Sequence, residues 1–597
     1  MTLSLLIAAS MGLSQPVDAD VLAALRSRPP EDEVVYFVLP DRFDNGDPSN
    51  DRGGIAGGRL DHGFDPTHKG FFNGGDLKGL TNRLDYLQEM GITAIWFAPV
   101  FKNKPVQGGP GRESAGYHGY WVTDFTSIDP HFGTNEEFKA FVDAAHGRGM
   151  KVYMDIITNH TADVIGYSNG DYSYRSKADY PYWTRGGTDG EPINEGFEGD
   201  HVMTVENFAK LTNPNFAYEV KVPEAEKDVK VPAWLNDPIY YHNRGDTTFF
   251  GEDSTYGDFV GLDDLFTENP LVVGGMIEIY GDWIEKFGID GFRIDTAKHV
   301  NPEFWRQFVP AMLARAEAAG IPNFHIFGEV TQDTSNPGYL AMFTQRDGYP
   351  ALLDFAFQWA TLELLGMDEG TYKMADMFEM DALYRGGHEA ARTLPTFLGN
   401  HDRGRFSTLI KERKPDIGQE ELLQRVLLGH AMMMTLRGSP VIYYGDEQGF
   451  VGDGNDQLAR ENMFPSQVDV YNDNDLIGTD ATTAQENFDR NHPIYRELAM
   501  LAKMRADNPA LSRGRQLTRA YGKEPGLLAI SRFHPDTGKE TLLLFNTSME
   551  AISGQVEVNP HSSRFSPLAG QCSPQISARG SLSYALAPLS YAVCEAQ

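Results

Sequence analysis

Three acidic residues of the 597-residue chain stand where carboxylates could work together: Asp295, Glu329 and Asp402. Each lies in or just past a short apolar run, Gly291 to Thr296 (GFRIDT), His325 to Val330 (HIFGEV) and Leu394 to Gly399 (LPTFLG). Basic, amide and imidazole residues keep them company: Arg293, Lys298 and His299 around Asp295, Asn400 and His401 before Asp402. Another run, Lys151 to Ile157 (KVYMDII), holds Asp155 and is followed by Asn159 and His160. Crowded carboxylates raise one another's pKa. Three of them at successive run ends therefore point to acid–base or nucleophilic work more than to rim salt bridges. Hydrolysis of a glycosidic bond needs such a set: one carboxylate attacks the anomeric carbon, and one protonated carboxyl gives its proton to the leaving oxygen.

These residues need a scaffold that brings distant stretches to one mouth. Eight short, nearly continuous apolar runs supply it. The other four are Val34 to Leu39, Ala94 to Val100, Ala351 to Phe355 and Pro440 to Gly445. Such runs suit parallel strands covered on both faces. Amphipathic stretches at Asn135 to Gly149 and Val272 to Phe287 precede two of them. The pattern predicts an α/β fold, a (β/α)8 TIM barrel, whose active site lies at the carboxyl ends of the strands. Residues 31–160 and 263–509 make the barrel. Residues 161–262, rich in Tyr, Gly, Asp and Asn, read as a domain inserted after the third strand. From 510 to 597 period-two strands and turns predict a C-terminal antiparallel β-sandwich. The insertion's Tyr180, Tyr182, Trp183, Trp234, Tyr240 and Tyr241 are either sugar platforms or its own core.

Composition narrows the partners. Lys plus Arg is 51 and Asp plus Glu is 84, a formal charge of −33. That argues against nucleic acid and anionic membrane surfaces. It suits an uncharged substrate, bound cations or plain solubility. Leu3 to Leu13 is an apolar run of signal-peptide length, too short to span a bilayer, so residues 1–19 read as a signal peptide or as a frayed helix. Export to the periplasm or medium is the expectation. Cys572 and Cys594 are the only cysteines, either bridged in an oxidising compartment or two free thiols.

From about Glu33 onward the chain resembles the α-amylase family of glycoside hydrolases. Four motifs occur in order: Asp155 to His160 (DIITNH), Gly291 to His299 (GFRIDTAKH), Phe327 to Val330 (FGEV) and Phe397 to Asp402 (FLGNHD). Tyr117 to Trp121 (YHGYW) resembles the family's substrate-stacking motif. The resemblance implies α-1,4-glucans or maltooligosaccharides as substrates, with retention of configuration. Asp295 would be the nucleophile, Glu329 the general acid and then base, and Asp402 the transition-state stabiliser. Arg293 would orient the carboxylates. His118, His160 and His401 would hydrogen-bond the reacting sugar, Tyr120 would stack on it, and Lys298 and His299 would line the leaving-group side.

The resemblance also implies Ca²⁺. Asn159, Asp264 and the carbonyl of His299 match an ion site between barrel and insertion. Asn45, Asp47, Asn50 and Asp51, with Gly74 and Asp76, resemble a calcium loop of cyclodextrin-forming relatives; its bland alternative is an Asx-turn loop that binds nothing. Gly445 to Met463 resembles relatives acting on maltodextrins and cyclodextrins. A cyclomaltodextrinase, a glucanotransferase, or a non-catalytic glucan-binding relative are the alternative readings.

Overall fold

The computed structural model describes residues 17–597. The apolar run Leu3 to Leu13 lies outside the described residues. Eight parallel strands form one sheet: β1 (Val35–Val38), β2 (Ala94–Phe97), β3 (Lys151–Ile156), β4 (Gly291–Ile294), β5 (His325–Gly328), β6 (Ala351–Leu352), β7 (Pro395–Thr396) and β8 (Ser439–Tyr443). Their spatial order follows the chain, and β8 returns to pair with β1 through Val35 opposite Val441. Between β6 and β7 the Asp354 N–H donates to the Pro395 carbonyl at 2.9 Å, which closes the cylinder. The barrel expected from the eight runs is therefore present. Every residue of these strands is buried, which is why they read as unbroken apolar runs rather than as alternation.

Local signals set the helices that follow. α1 (Asn135–His146) opens on a capping box: Thr134 Oγ1 accepts from Glu137 N and Glu137 Oε2 accepts from Thr134 N. α2 (Pro270–Phe287) starts with proline, is capped by Asn269, and stops at Gly288, whose φ of +73° suits glycine. α3 (Pro302–Ala318) follows β4 and also starts with proline.

The segment between β3 and α2 carries only short elements. It has its own aromatic core of Tyr167, Tyr182, Phe197, Phe208, Phe216 and Tyr218 packed with Phe266. Beyond the barrel, a five-stranded antiparallel sheet joins β9 (Arg515–Ala520), β10 (Leu527–Phe533), β11 (Glu540–Asn546), β13 (Phe565–Ala569) and β15 (Ser590–Ala596). β12 (Ile552–Glu557) and β14 (Ser581–Leu586) pair as a second sheet, and side chains of both sheets form one core. Cys572 is bonded to Cys594. Among the described residues no helix is long and apolar enough to cross a membrane.

Candidate functional site

Strand register places the chemistry. On β4, Arg293 is the Cα partner of Asp155 on β3 and of Phe327 on β5. Two residues further along β4 comes Asp295, and just past β5 comes Glu329. The Arg293 guanidinium is wholly buried among these carboxylates. Its Nη1 donates to Asp155 Oδ1 and to Asp295 Oδ1, each at 2.8 Å, and its Nη2 lies 2.9 Å from Glu329 Oε2. Asp155 Oδ2 in turn accepts from Trp96 Nε1 at 3.1 Å and from Tyr120 OH at 3.2 Å. Tyr120 OH also meets His401 Nε2 at 2.8 Å.

Asp402 arrives from past β7. Arg460 Nη2 donates to Asp402 Oδ1 at 3.0 Å, and His401 Nε2 stands 3.2 Å from Asp402 Oδ2. A cavity of about 550 Å³ opens at this mouth. Asp295, Glu329 and Asp402 all line it, together with His118, Tyr120, His160, Val260 and Arg460. Asp295 is 6 % exposed and Glu329 7 %, enough to meet a ligand but too little for full solvation.

That partial burial sets the electrostatics. Burial pushes Glu329 up to about 7, and Asp295 and Asp402 add to the rise while Arg293 opposes it. Burial pushes Asp295 up to about 6, with Arg293 again pulling it down. Asp155 rises to about 7 for the same reason. One carboxyl is thus biased to hold a proton while its neighbour ionises first, an arrangement suited to an acid beside a nucleophile. Burial takes His160 down to about 3 and holds His118 and His401 well below the usual imidazole value, so all three are neutral hydrogen-bonding groups near pH 7.

Not every expected residue faces this cavity. Lys298 Nζ donates to Thr331 Oγ1 at 2.6 Å, and the side chain lines a neighbouring cavity instead. The His299 ring packs edge-on against Phe249 and Phe259, with Nδ1 at 2.7 Å from the Ser254 carbonyl. None of the six insertion aromatics lines the catalytic mouth, and Tyr182 and Tyr241 are buried. Sequence reasoning reaches Arg460 only within a segment of general resemblance, so its bond to Asp402 is a finding of the structure.

The two expected ion sites differ in their donors. In the N-terminal loop, Asn45 Oδ1 and Asn50 Oδ1 are buried with no partner among the described residues. Asp51 accepts from Asn45 Nδ2 at 2.9 Å, and Asp76 accepts from the Asp47 N–H at 2.7 Å. Gly74 sits at φ +104°, and a Cβ there would stand 2.6 Å from Asn45 Nδ2 and 2.9 Å from Asp51 Oδ1. Burial, with Asp41, Asp76 and Asp47 nearby, raises Asp51 to about 6. Orphaned amide oxygens beside excess carboxylate fit a hard cation. At the barrel–insertion junction, Leu265 N donates to Asn159 O, which brings Asn159 beside Asp264. There Asp264 Oδ2 is engaged by His242 Nδ1 at 2.6 Å, and His242 Nε2 reaches Glu268 at 2.9 Å. These two carboxylates outweigh burial and hold His242 up at about 9, so an imidazolium already serves Asp264. One oxygen of Asp264, the Asn159 amide and the His299 carbonyl would need further oxygens, from the insertion or from water, to reach the six to eight that calcium takes.

Comparison with known proteins agrees with the geometry. A family model, "Alpha amylase, catalytic domain", matches residues 37–514. An alpha-amylase of Streptomyces lividans is 48 % identical over 495 residues, which is 83 % of this chain and 53 % of the relative. A cyclomaltodextrin glucanotransferase of Geobacillus stearothermophilus is 27 % identical over 547 residues, 88 % of this chain and 64 % of the relative. The chain thus spans about half the length of the Streptomyces relative. Among solved structures, an Anoxybacillus alpha-amylase superposes with a TM-score of 0.67 at 26 % identity, covering 96 % of this chain and 99 % of the other. CldA, described as a cyclomaltodextrin glucanotransferase with a three-domain ABC distribution, gives 0.70 at 27 % identity, covering 95 % and 99 %.

Proposed function

The chain belongs to the α-amylase catalytic-domain family, and from that premise we propose that it is a retaining glycoside hydrolase acting on α-1,4-glucosidic bonds of starch-derived glucans or maltooligosaccharides. The observation that carries the proposal is the contact of one buried guanidinium, Arg293, with Asp155, Asp295 and Glu329 at the wall of a single cavity.

In this reading Asp295 Oδ attacks the anomeric carbon while the Glu329 carboxyl protonates the departing oxygen. A glycosyl ester forms on Asp295 and the aglycone leaves. Glu329, now ionised, takes a proton from water, which attacks the same carbon and releases Asp295. Asp402, held by Arg460 and His401, presents its carboxylate to the sugar hydroxyls. Tyr120 closes the apolar side. Two inversions at one carbon give net retention, which proton NMR of the first-formed anomer from maltoheptaose tests: the α anomer is expected, and β overturns the mechanism.

The fold likeness to CldA supports a second reading, transfer of the glucosyl group to a sugar instead of water. A product panel from starch, maltoheptaose and β-cyclodextrin separates the two. Calcium is proposed for the N-terminal loop, where Asn45, Asp47, Asn50, Asp51, the Gly74 carbonyl and Asp76 would hold it and tie that loop to the barrel. Export is proposed on the apolar run Leu3 to Leu13 and on the bonded Cys572–Cys594 pair, which suits an oxidising compartment.

A further inference from the structure

Tyr120 has a ring and a hydroxyl, and the two meet different surroundings. The side chain lines the catalytic cavity, where its ring is expected to stack on the reacting sugar. The hydroxyl reaches two wholly buried side chains, Asp155 and His401. Neither of these lines the cavity. No step of the double displacement uses Asp155 or the Tyr120 hydroxyl.

Hydrogen-bond chemistry fixes which way this junction runs. His401 Nε2 lies 2.8 Å from the Tyr120 oxygen and 3.2 Å from Asp402 Oδ2. Asp402 works as a carboxylate and can only accept, so Nε2 carries a proton. Burial, with Arg460 and Arg293 nearby, holds His401 well below the usual imidazole value, so the neutral ring has one proton to place. The Tyr120 oxygen can accept that N–H, and its own proton goes to Asp155 Oδ2 at 3.2 Å. Asp155 is in turn anchored in the strand layer, accepting from Arg293 Nη1 at 2.8 Å and from Trp96 Nε1 at 3.1 Å.

Among the described residues the His401 ring has just these two polar contacts, and its Nδ1 is buried with none. Asp402 faces the cavity and has the sugar to serve. The fixed partner of the ring is therefore the hydroxyl. A buried imidazole with one N–H and one fixed acceptor has one orientation, and that orientation decides where the Asp402 carboxylate rests.

We propose that the Tyr120 hydroxyl is a positioning group that locks the His401 imidazole beside Asp402. Tyr120 thus serves the reaction twice, by its ring on the sugar and by its oxygen through His401. The inference rests on the glucan reading above. Steady-state kinetics on maltoheptaose test it, with wild type, Tyr120→Phe, His401→Ala and the double variant. Tyr120→Phe keeps the ring and removes one oxygen. It should lower kcat about tenfold, the worth of one hydrogen bond, and leave KM nearly unchanged. In the His401→Ala background the same substitution should cost less than about twofold, because the group it acts through is gone. His401→Gln, which returns an amide N–H, should recover part of the His401→Ala loss. Thermal melts score the folding of each variant.

Equal fold-losses from Tyr120→Phe in both backgrounds overturn the proposal. So does a Tyr120→Phe protein with wild-type kinetics. A rise in KM with kcat unchanged also overturns it, since that marks the hydroxyl as a plain sugar contact. Activity of the wild type is scored first: an inert wild type overturns the glucan reading itself, whereas an active one with independent losses overturns only the role of the hydroxyl.

Discussion

Arg293 Nη2 lies 2.9 Å from Glu329 Oε2, in a wall where burial pushes that carboxyl up to about 7. The cation limits the rise at both carboxyls, and Asp295, at about 6, is the more acidic of the pair. Each side chain alone is a poorly solvated carboxylate; the fork makes them an acid and a nucleophile.

The pH profile follows. Activity needs Asp295 ionised and Glu329 protonated. It should rise with pH as Asp295 loses its proton near 6 and fall as Glu329 loses its proton near 7, giving a narrow bell in kcat/KM. Arg293→Lys removes the fork, should cut kcat by roughly 10²–10³-fold, and should move both limbs upward. A bell unmoved by Arg293→Lys contradicts the assignment.

Stability should fall through the same titration that ends activity on the alkaline side. The folded-state pKa of Glu329 is raised above its unfolded value of 4.5. The folded protein therefore holds that proton more tightly, and the stabilisation is full below about 4.5 and lost as pH climbs through about 7. Relative to wild type, Glu329→Gln should melt a few degrees higher at pH 8 and no higher at pH 4. Scanning calorimetry at the two pH values reads this directly, and a gain confined to pH 4 contradicts the sign.

Arg460 is expected to act through Asp402. Its guanidinium spans Asp402 and Asp456 and reaches the His401 carbonyl. Arg460→Ala frees the Asp402 carboxylate to rotate, and small misplacements of a catalytic group cost about 10² in rate. The expected result is a fall in kcat of that order, partly restored by Arg460→Lys. Unchanged steady-state kinetics on maltoheptaose would show that Asp402 is held by other means.

Calcium removal should lower the melting temperature through the N-terminal loop. A site that saturates at 100 times its Kd stabilises by about 2.7 kcal/mol. EDTA should lower Tm in the wild type, and Asp51→Ala should abolish the EDTA effect. Asp264→Ala should leave the EDTA effect intact, because His242 already serves that carboxylate. Equal calcium response in wild type and Asp51→Ala contradicts the placement.

The barrel strands were legible because burial on both faces leaves apolar runs, and the runs overshoot the strands for a physical reason. HIFGEV reads to Val330, while β5 ends at Gly328. The chain leaves the ladder there but stays buried, and this turned-out stretch carries Glu329. β6 and β7 are only two residues each in the ladder, yet Ala351 to Phe355 is buried throughout, which is why it reads as an apolar run. Side-chain direction was less legible. Lys298 sits within a motif that points to the mouth, but its side chain lines the neighbouring cavity and only its Nζ reaches Thr331 on the catalytic side. Arg460 meets Asp402 across 58 residues of chain, a pairing that no local pattern encodes. The insertion's aromatics were ambiguous because a small domain without regular sheets needs the same residues for its core that a sugar platform would use.

Trapping the covalent intermediate tests the central claim most directly. The Glu329→Gln protein, incubated with an activated fluoro-maltosyl donor and digested, should yield one glycosylated peptide by mass spectrometry, with the label on Asp295. Asp155, sealed behind Arg293, should take none. A label on Asp402, or none at all while the enzyme turns over, would contradict Asp295 as the nucleophile.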